Sequence, residues 1–306
     1  MTNFNKYHVL VVGCGQWGKN IVRDLLNSGC WVSCVDTNAD SLALAEQIGA
    51  KGYSNLQDVA APDGVVIATP ATQHLESVRS VSHFDVPIFC EKPLTTDLES
   101  AKEIVRLMPG KLFVMHNWRY HPGVLELAAI AREKQLGNVQ ALKSIRANWT
   151  SPRTDTDSIW TLVPHDLTLA LSIFGHIPEP KTARIEYLGE RAVGMTALLG
   201  DSPWFSFESS NRYAEKLRQV RLHCDGGVAI LQSGEATELT ILRGTDPQPV
   251  VERRSIDSTS ALLREIRRFV GYLAGGPAPE TTAEEGLLIV EQVTKLRELS
   301  NRPQQL

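Results

Sequence analysis

What this sequence lacks narrows its class before any motif is considered. Its 306 residues include only five cysteines, at positions 14, 30, 34, 90 and 224. An odd number with no C-x-x-C spacing excludes a disulfide framework and argues against a thiolate metal site. Four of the five fall in or beside expected strands and turns of the first half, as buried, reduced thiols of a cytoplasmic protein would. No apolar run is long enough to span a bilayer, and the first residues carry no signal-peptide pattern, so neither membrane insertion nor secretion is expected. The formal net charge is only −4, which gives no electrostatic basis for binding nucleic acid or an anionic membrane. No internal repeat and no low-complexity tract is visible. With 42% apolar and 22% charged residues the composition is that of an ordinary globular protein, and the length predicts two domains.

What is present is concentrated first in one turn. Positions 8–12 are rich in β-branched residues and predict a strand. Gly13-Cys-Gly-Gln-Trp-Gly-Lys-Asn20 follows, a G-x-G-x-x-G pattern, and Ile21, Val22, Leu25 and Leu26 continue at helical spacing. Each glycine answers a steric demand: Gly13 for a tight turn, Gly15 so that backbone can approach a pyrophosphate, Gly18 for close packing of helix on strand. The helix start then presents free N–H groups and the positive end of its dipole to the phosphates. A second strand over 31–35 ends on Asp36, close to the spacing of about 20 residues at which an acid hydrogen-bonds the adenosine ribose. A carboxylate there repels a 2′-phosphate, and no arginine follows in Thr37, Asn38 or Ala39 to receive one. The unit therefore predicts NAD(H) rather than NADP(H).

The first half alternates strand and helix. A helix over 41–48 ends at Gly49; a strand and turn over 64–70, a helix over 74–82 and a strand ending at Cys90 follow. Thr96 with Glu99 forms a capping box for a helix whose inner face is Leu98, Ala101, Ile104, Val105 and Met108, and a strand over 111–116 comes next. This βαβ repetition predicts a doubly wound parallel sheet, an α/β Rossmann domain over residues 1–120. Residues 121–306 read differently. Helices are expected over 122–134 and 157–174, a long strand over 138–150, and extended stretches over 183–189, 191–199, 203–210, 217–224, 227–232 and 237–243. Tight links such as Asp225-Gly226-Gly227 predict antiparallel hairpins, and helices over 258–274 and 283–299 close the chain. The expectation is a C-terminal α+β domain with a large open antiparallel sheet.

Chemistry enters with Glu91-Lys92-Pro93-Leu94, placed directly after the apolar run 86–90. A lysine at the carboxyl end of a parallel strand sits at the ligand crevice of such a sheet. Its ammonium can polarise a carbonyl or hold a reacting hydroxyl, and Pro93 fixes the backbone after it. The guanidinium groups of Arg119, and of Arg212 and Arg218 near Lys216, suit a carboxylate or phosphate, though internal ion pairs explain the second cluster equally well. Trp149 and Trp160 fit a sugar face or a core. His74 fits a cofactor contact or a plain helix start.

Six motifs run nearly end to end: Gly13 to Asn20, Ala68-Thr-Pro-Ala-Thr-Gln-His74, Glu91 to Leu94, Arg119-Tyr-His-Pro122, Pro164-His-Asp-Leu167, and Glu284-Glu285-Gly286 in the last helix. With them the chain resembles the Gfo/Idh/MocA (glucose–fructose oxidoreductase / inositol dehydrogenase) family. The Trp-Gly-Lys-Asn turn, Arg-Tyr-His-Pro and the segment from Trp160 to Leu167 look most like the branch acting on nucleotide-linked sugars and uronic acids. The resemblance implies an NAD-dependent oxidoreductase that transfers hydride between nicotinamide and a hydroxyl or keto carbon of a sugar or nucleotide-sugar, without a metal. It also implies a homodimer or homotetramer built through the C-terminal sheet.

Residue by residue, the resemblance implies that Lys92 lies next to substrate and nicotinamide, with a cis Lys92–Pro93 bond, and that His165 is the acid/base on the reacting hydroxyl. Imidazole suits proton transfer near neutrality. Gly13, Gly15, Gln16, Trp17, Gly18, Asp36, Thr69, Pro70, His74, Glu91 and Lys92 would hold the cofactor. Arg119, Tyr120, His121, Trp160 and Thr161 would hold the substrate. There is one departure. The family often places an aspartate one helical turn before the histidine, and here that position is Thr161. Threonine hydrogen-bonds but carries no charge. Asp166, adjacent to His165, lies about 100° around the helix and does not simply substitute. The departure leaves open a catalytically silent NAD-binding sensor or scaffold on the same fold, and a reductase of a non-sugar carbonyl or imine.

Overall fold

The computed structural model describes residues 7–150, 155–244 and 247–301. Contacts divide the chain into two compact units, Met1–His116 with Leu262–Val290, and Asn117–Ala261 with Glu291–Leu306.

The first unit begins with β1 (Tyr7–Val12), α1 (Gly18–Asn27), β2 (Cys30–Val35), α2 (Ala39–Gln47) and β3 (Lys51–Tyr53). It continues with β4 (Gly64–Ile67), α3 (His74–Val81), β5 (Ile88–Glu91), α4 (Leu98–Leu107) and β6 (Leu112–Met115). The six strands form one sheet in the order β3-β2-β1-β4-β5-β6, every neighbouring pair parallel. β4 and β6 are buried at every residue, which is why they read as unbroken apolar runs rather than as alternation. The strand order reverses between β1 and β4, and in such sheets ligands bind outside the carboxyl ends of the strands at that reversal.

The second unit contains α5 (Pro122–Arg132), β7 (Val139–Trp149), α6 (Ser158–Phe174), β8 (Pro180–Leu188), β9 (Arg191–Leu199), β10 (Trp204–Ser210), β11 (Arg212–Cys224), β12 (Gly227–Leu231), β13 (Glu238–Arg243) and β14 (Val250–Ser255). Its sheet has the order β14-β13-β12-β11-β7-β10-β9-β8. Neighbours are antiparallel except β7 and β10, which run parallel. The exception follows from connectivity: α6 and the β8–β9 hairpin intervene, so β10 enters from the same end as β7. Asp157 caps α6 by accepting from the amides of Ile159 and Trp160, and Gly175 ends it at φ +75°.

The chain then returns to the first unit with α7 (Ala261–Leu273) and the start of α8 (Ala283–Ser300). Leu262, Ile266 and Phe269 of α7 join a core that includes Val9, Val11, Ile21, Phe89 and Phe113. The rings of Phe269 and Phe89 stack with centroids 5.0 Å apart. The sequence pattern divides the chain once, near residue 120; the contacts divide it again after residue 261, because this apolar face of α7 completes the first core.

Two local expectations are corrected. The cap of α4 is Asp97, not Thr96: its carboxylate accepts from the Ser100 amide at 2.8 Å, while the Thr95 hydroxyl donates to the Asp97 carbonyl at 2.6 Å. A carboxylate one residue further on outcompetes the threonine hydroxyl for the same free amides. The sequence pattern does not predict strands β3 and β14; β3 is three residues long, and β14 carries four charged or polar side chains among six.

Candidate active site

At the carboxyl ends of the first unit's strands the glycine turn is shaped by its neighbours. Gly13 has φ +92°, and a Cβ on it would lie 2.8 Å from the Ala68 carbonyl carbon and the Thr69 nitrogen. A Cβ on Gly18 would lie 2.3 Å from the Gly13 oxygen. At Gly15 a Cβ would meet nothing within 4 Å. Two glycines thus close the turn on itself, and the third leaves open backbone on the side where a pyrophosphate would approach. No described side chain caps α1, and its first turn holds no acid. The Lys19 and Asn20 amides close the first turn on the Gly15 and Trp17 carbonyls at 3.2 and 2.9 Å, and the positive dipole end of the helix remains to attract an anion. Asp36, at the end of β2, accepts from the Cys14 amide at 2.7 Å and from the Asn38 amide at 2.9 Å. Two backbone donors orient that carboxylate while leaving it lone pairs for a ribose. This set of residues fits NAD(H).

The remaining cofactor candidates of this unit form one connected group. The Trp17 indole N–H donates to Oε1 of Glu91, and Oε2 of Glu91 accepts from the Lys92 amide at 3.1 Å. The glycine turn is thereby tied to the end of β5. His74 is 1% exposed, with Nδ1 3.0 Å from the Leu94 carbonyl and Nε2 3.0 Å from the Thr69 carbonyl. Carbonyl oxygens only accept, so a neutral ring makes one of these hydrogen bonds and an imidazolium makes both. Either way His74 joins the Thr69–Pro70 turn to the segment after Lys92, and its burial makes its influence on a cofactor indirect. The Lys92–Pro93 peptide is cis. Lys92 itself is half-buried.

The second unit carries the other candidates. The 3-10 turn Asn117–Tyr120 and α6 pack together. Arg119 donates to the Ser172 hydroxyl at 3.3 Å, and Tyr120 is buried. His121 caps α5: Nδ1 accepts from the Gly123 amide at 3.1 Å, so Nε2 carries the proton and donates to the Gly234 carbonyl at 2.9 Å. On α6, Trp160 and His165 are buried and the Thr161 hydroxyl donates to the Ser158 carbonyl at 3.1 Å. Pro164 has no N–H to offer the Trp160 carbonyl, which loosens the helix in the turn before His165. Asp166 faces away into a polar network: Ser144 and Ser209 donate to it at 2.8 and 2.6 Å, and Arg146 pairs with it at 3.5 Å. The Arg146 guanidinium lies 4.1 Å from the Trp118 ring, which stacks on His121. Burial works against the Arg146 charge and Asp166 supports it. Of the other basic residues, Lys216 pairs with Glu235, Arg218 donates to the Ala147 carbonyl at 2.9 Å, and Arg212 lies over the exposed Trp149.

Three features have no counterpart in the sequence reading: the Trp17–Glu91 bond, the Arg146–Asp166 network, and Glu265. The first two join residues distant in sequence and leave no local pattern. Glu265 does leave one, an acid at helical spacing within the face formed by Leu262, Ile266 and Phe269.

Comparison with known proteins agrees with the fold and with an NAD-binding first unit. Residues 7–117 match the Gfo/Idh/MocA family, described as an oxidoreductase family with an NAD-binding Rossmann fold. Inositol 2-dehydrogenase 2 of Saccharopolyspora erythraea is 30% identical over 304 residues, covering 90% of this chain and 88% of that protein. UDP-N-acetylglucosamine 3-dehydrogenase of Acidithiobacillus ferrooxidans is 27% identical, covering 86% and 88%. A crystal form of that enzyme superposes with a TM-score of 0.82 over 96% of this chain and 97% of that one, at 21% identity. Levoglucosan dehydrogenase in complex with NADH and levoglucosan superposes with a TM-score of 0.84 over 96% of each chain, at 14% identity.

Proposed function

The chain belongs to the Gfo/Idh/MocA family of NAD-dependent oxidoreductases, and on that premise we propose that it transfers hydride between NAD(H) and a hydroxyl or keto carbon of a sugar or nucleotide-sugar. The observation that carries this reading is the gathering, at the strand ends of one unit, of an open-backboned glycine turn, an amide-oriented Asp36 and the Glu91–Lys92 segment tied to that turn. Similarity over nearly the whole chain to dehydrogenases of an inositol and of a nucleotide-sugar supports the substrate class.

The bound nicotinamide supplies the hydride acceptor or donor. The Lys92 ammonium stabilises negative charge on the reacting oxygen, and His165 takes or returns the hydroxyl proton. Thr161 stands where a carboxylate would otherwise support the imidazolium, and offers a lone pair only. Arg119, Tyr120, His121 and Trp160 shape the substrate side, with Arg119 suited to a carboxylate or phosphate. The protein works in the cytoplasm as a homodimer or homotetramer. Exposed apolar residues on its large sheet, Leu198 and Val251 among them, support assembly there. Light scattering tests the assembly. A cofactor titration followed by a screen of sugars and nucleotide-sugars, read by NADH absorbance, tests the reaction. Tight NAD(H) binding with no turnover across the screen would sink the substrate assignment.

A further inference from the structure

Glu265 is an acid on an apolar helix face. Its neighbours Leu262, Ile266 and Phe269 belong to the core of the first unit, and Glu265 itself is 0% exposed. Neither of its carboxyl oxygens has a hydrogen-bond partner among the described residues. Burial, joined by the negative charge of Glu91, pushes its pKa well above the usual carboxylate range. Glu91 is placed differently. The Trp17 indole and the Lys92 amide both donate to it. The two carboxyl groups thus divide the roles: the one adjoining Lys92 accepts hydrogen bonds, and the one on α7 keeps a proton.

We propose that Glu265 is a positioning residue whose proton follows the oxidation state of the cofactor: the free protein and its NADH complex hold the proton, and the NAD+ complex releases it to solvent. This rests on the NAD-dependent reading above. The nicotinamide ring carries a positive charge in NAD+ and none in NADH. A cation held beside the Glu91–Lys92 segment favours ionisation of the buried acid that feels the Glu91 charge, and the new carboxylate offsets the cation. The step balances as the loss of one proton from the Glu265 O–H to solvent, with no electron moved. When NAD+ is reduced, the same carboxylate takes a proton back. The ratio of NAD+ to NADH affinity then depends on pH through a residue that touches neither substrate nor cofactor.

Other titratable groups occupy the same strand ends: Cys14 in the glycine turn, Asp36 after β2, Cys90 on β5, Lys92, and His116 after β6. On α7 itself Arg264 and Arg268 flank Glu265. A hydrogen bond to Cys34 and burial push the Cys14 thiol up, and burial pushes Cys90 up. Both thiols therefore stay protonated, and substitution at Glu265 separates its proton from the rest.

The test is calorimetric titration of the whole protein with NAD+ and with NADH in buffers of different ionisation enthalpy, which counts protons released. The wild type is expected to release up to one proton with NAD+ and about none with NADH near neutral pH. Its NAD+ affinity is expected to rise up to about tenfold per pH unit while NADH affinity stays flat, the limit for one linked proton. Glu265→Gln, which imitates the protonated acid, should bind both cofactors with no excess proton and no slope. An infrared difference spectrum of the wild type should lose a protonated-carboxyl band on adding NAD+ and keep it on adding NADH, a readout that needs no variant. Equal proton counts for the two cofactors, or an undiminished count in Glu265→Gln, overturns the proposal alone. Failure of the wild type to bind either cofactor overturns the NAD reading with it.

Discussion

Asp166 in the second unit and Glu265 in the first are both fully buried acids, and their surroundings are opposite. Asp166 accepts from two serine hydroxyls and faces Arg146, which in turn covers Trp118. Glu265 has apolar neighbours and the charge of Glu91. A buried carboxylate that accepts two hydroxyl hydrogen bonds and faces a counter-charge fixes one arrangement of the chain around it. A buried acid without partners costs stability and remains free to titrate, a combination that points to use rather than to support. The comparison also separates the two units: polar interior contacts hold α6 to its sheet, whereas the inner face of α7 is apolar apart from Glu265, and the ion pair of that helix, Arg268–Glu280, lies toward the surface.

The largest expected effect tests the Asp166 side. Asp166→Ala leaves Arg146 buried without its counter-charge and should cost about 3–5 kcal/mol in urea unfolding. A loss under about 1 kcal/mol would mean that the network is ornamental and the contrast false. Next comes the chemistry proposed beside Glu91, whose charge acts on the unpartnered acid. Lys92→Ala should lower turnover by at least about a hundredfold, as expected for losing a positioned charge. NAD affinity should move far less, since the glycine turn and Asp36 are untouched. Normal turnover would remove Lys92 from the reaction. The cofactor preference should be smaller: NAD(H) binding at least about tenfold tighter than NADP(H), from the like charge of Asp36 and a 2′-phosphate. Equal affinities in parallel titrations would take Asp36 out of the site.

The smallest effect tests the other half of the comparison. Glu265→Leu replaces an unsatisfied group by an apolar one and should change stability by no more than about 1 kcal/mol at acid pH. The folded protein keeps a proton at Glu265 that the unfolded chain releases above the ordinary carboxylate range. Wild-type stability from this group therefore falls as pH rises toward neutrality, and the variant should gain on the wild type in that direction. A gap that is constant with pH would show Glu265 to be ionised in the folded state.

Most of the first unit was legible because its signals are local. Each buried strand is an apolar run, α2 and α4 start on the polar caps Asn38 and Asp97, and the glycine spacing reflects contacts within a few residues of itself. The motif residues Gly13, Gly15 and Gly18 also carried a steric reading that the turn bears out, with Gly15 alone facing open space. The parallel pairing of β7 with β10 was not legible, since nothing in either strand records the direction of its partner. The edge strand β14, charged along much of its length, gave no apolar alternation to read. His74 and His121 show the limit for sites: sequence placed both near ligands, and only coordinates reveal that backbone groups take up their ring nitrogens.

The return of α7 to the first unit has a consequence for how the protein is made. Its N-terminal sheet leaves the ribosome complete through β6, but Leu262, Ile266 and Phe269 emerge only about 145 residues later, roughly seven to thirty seconds at ordinary elongation rates. During that interval Phe89, Gly64 and their neighbours present an apolar seat without its occupant, so the core of the nascent Rossmann half stays open until about the last seventh of the chain arrives to close it.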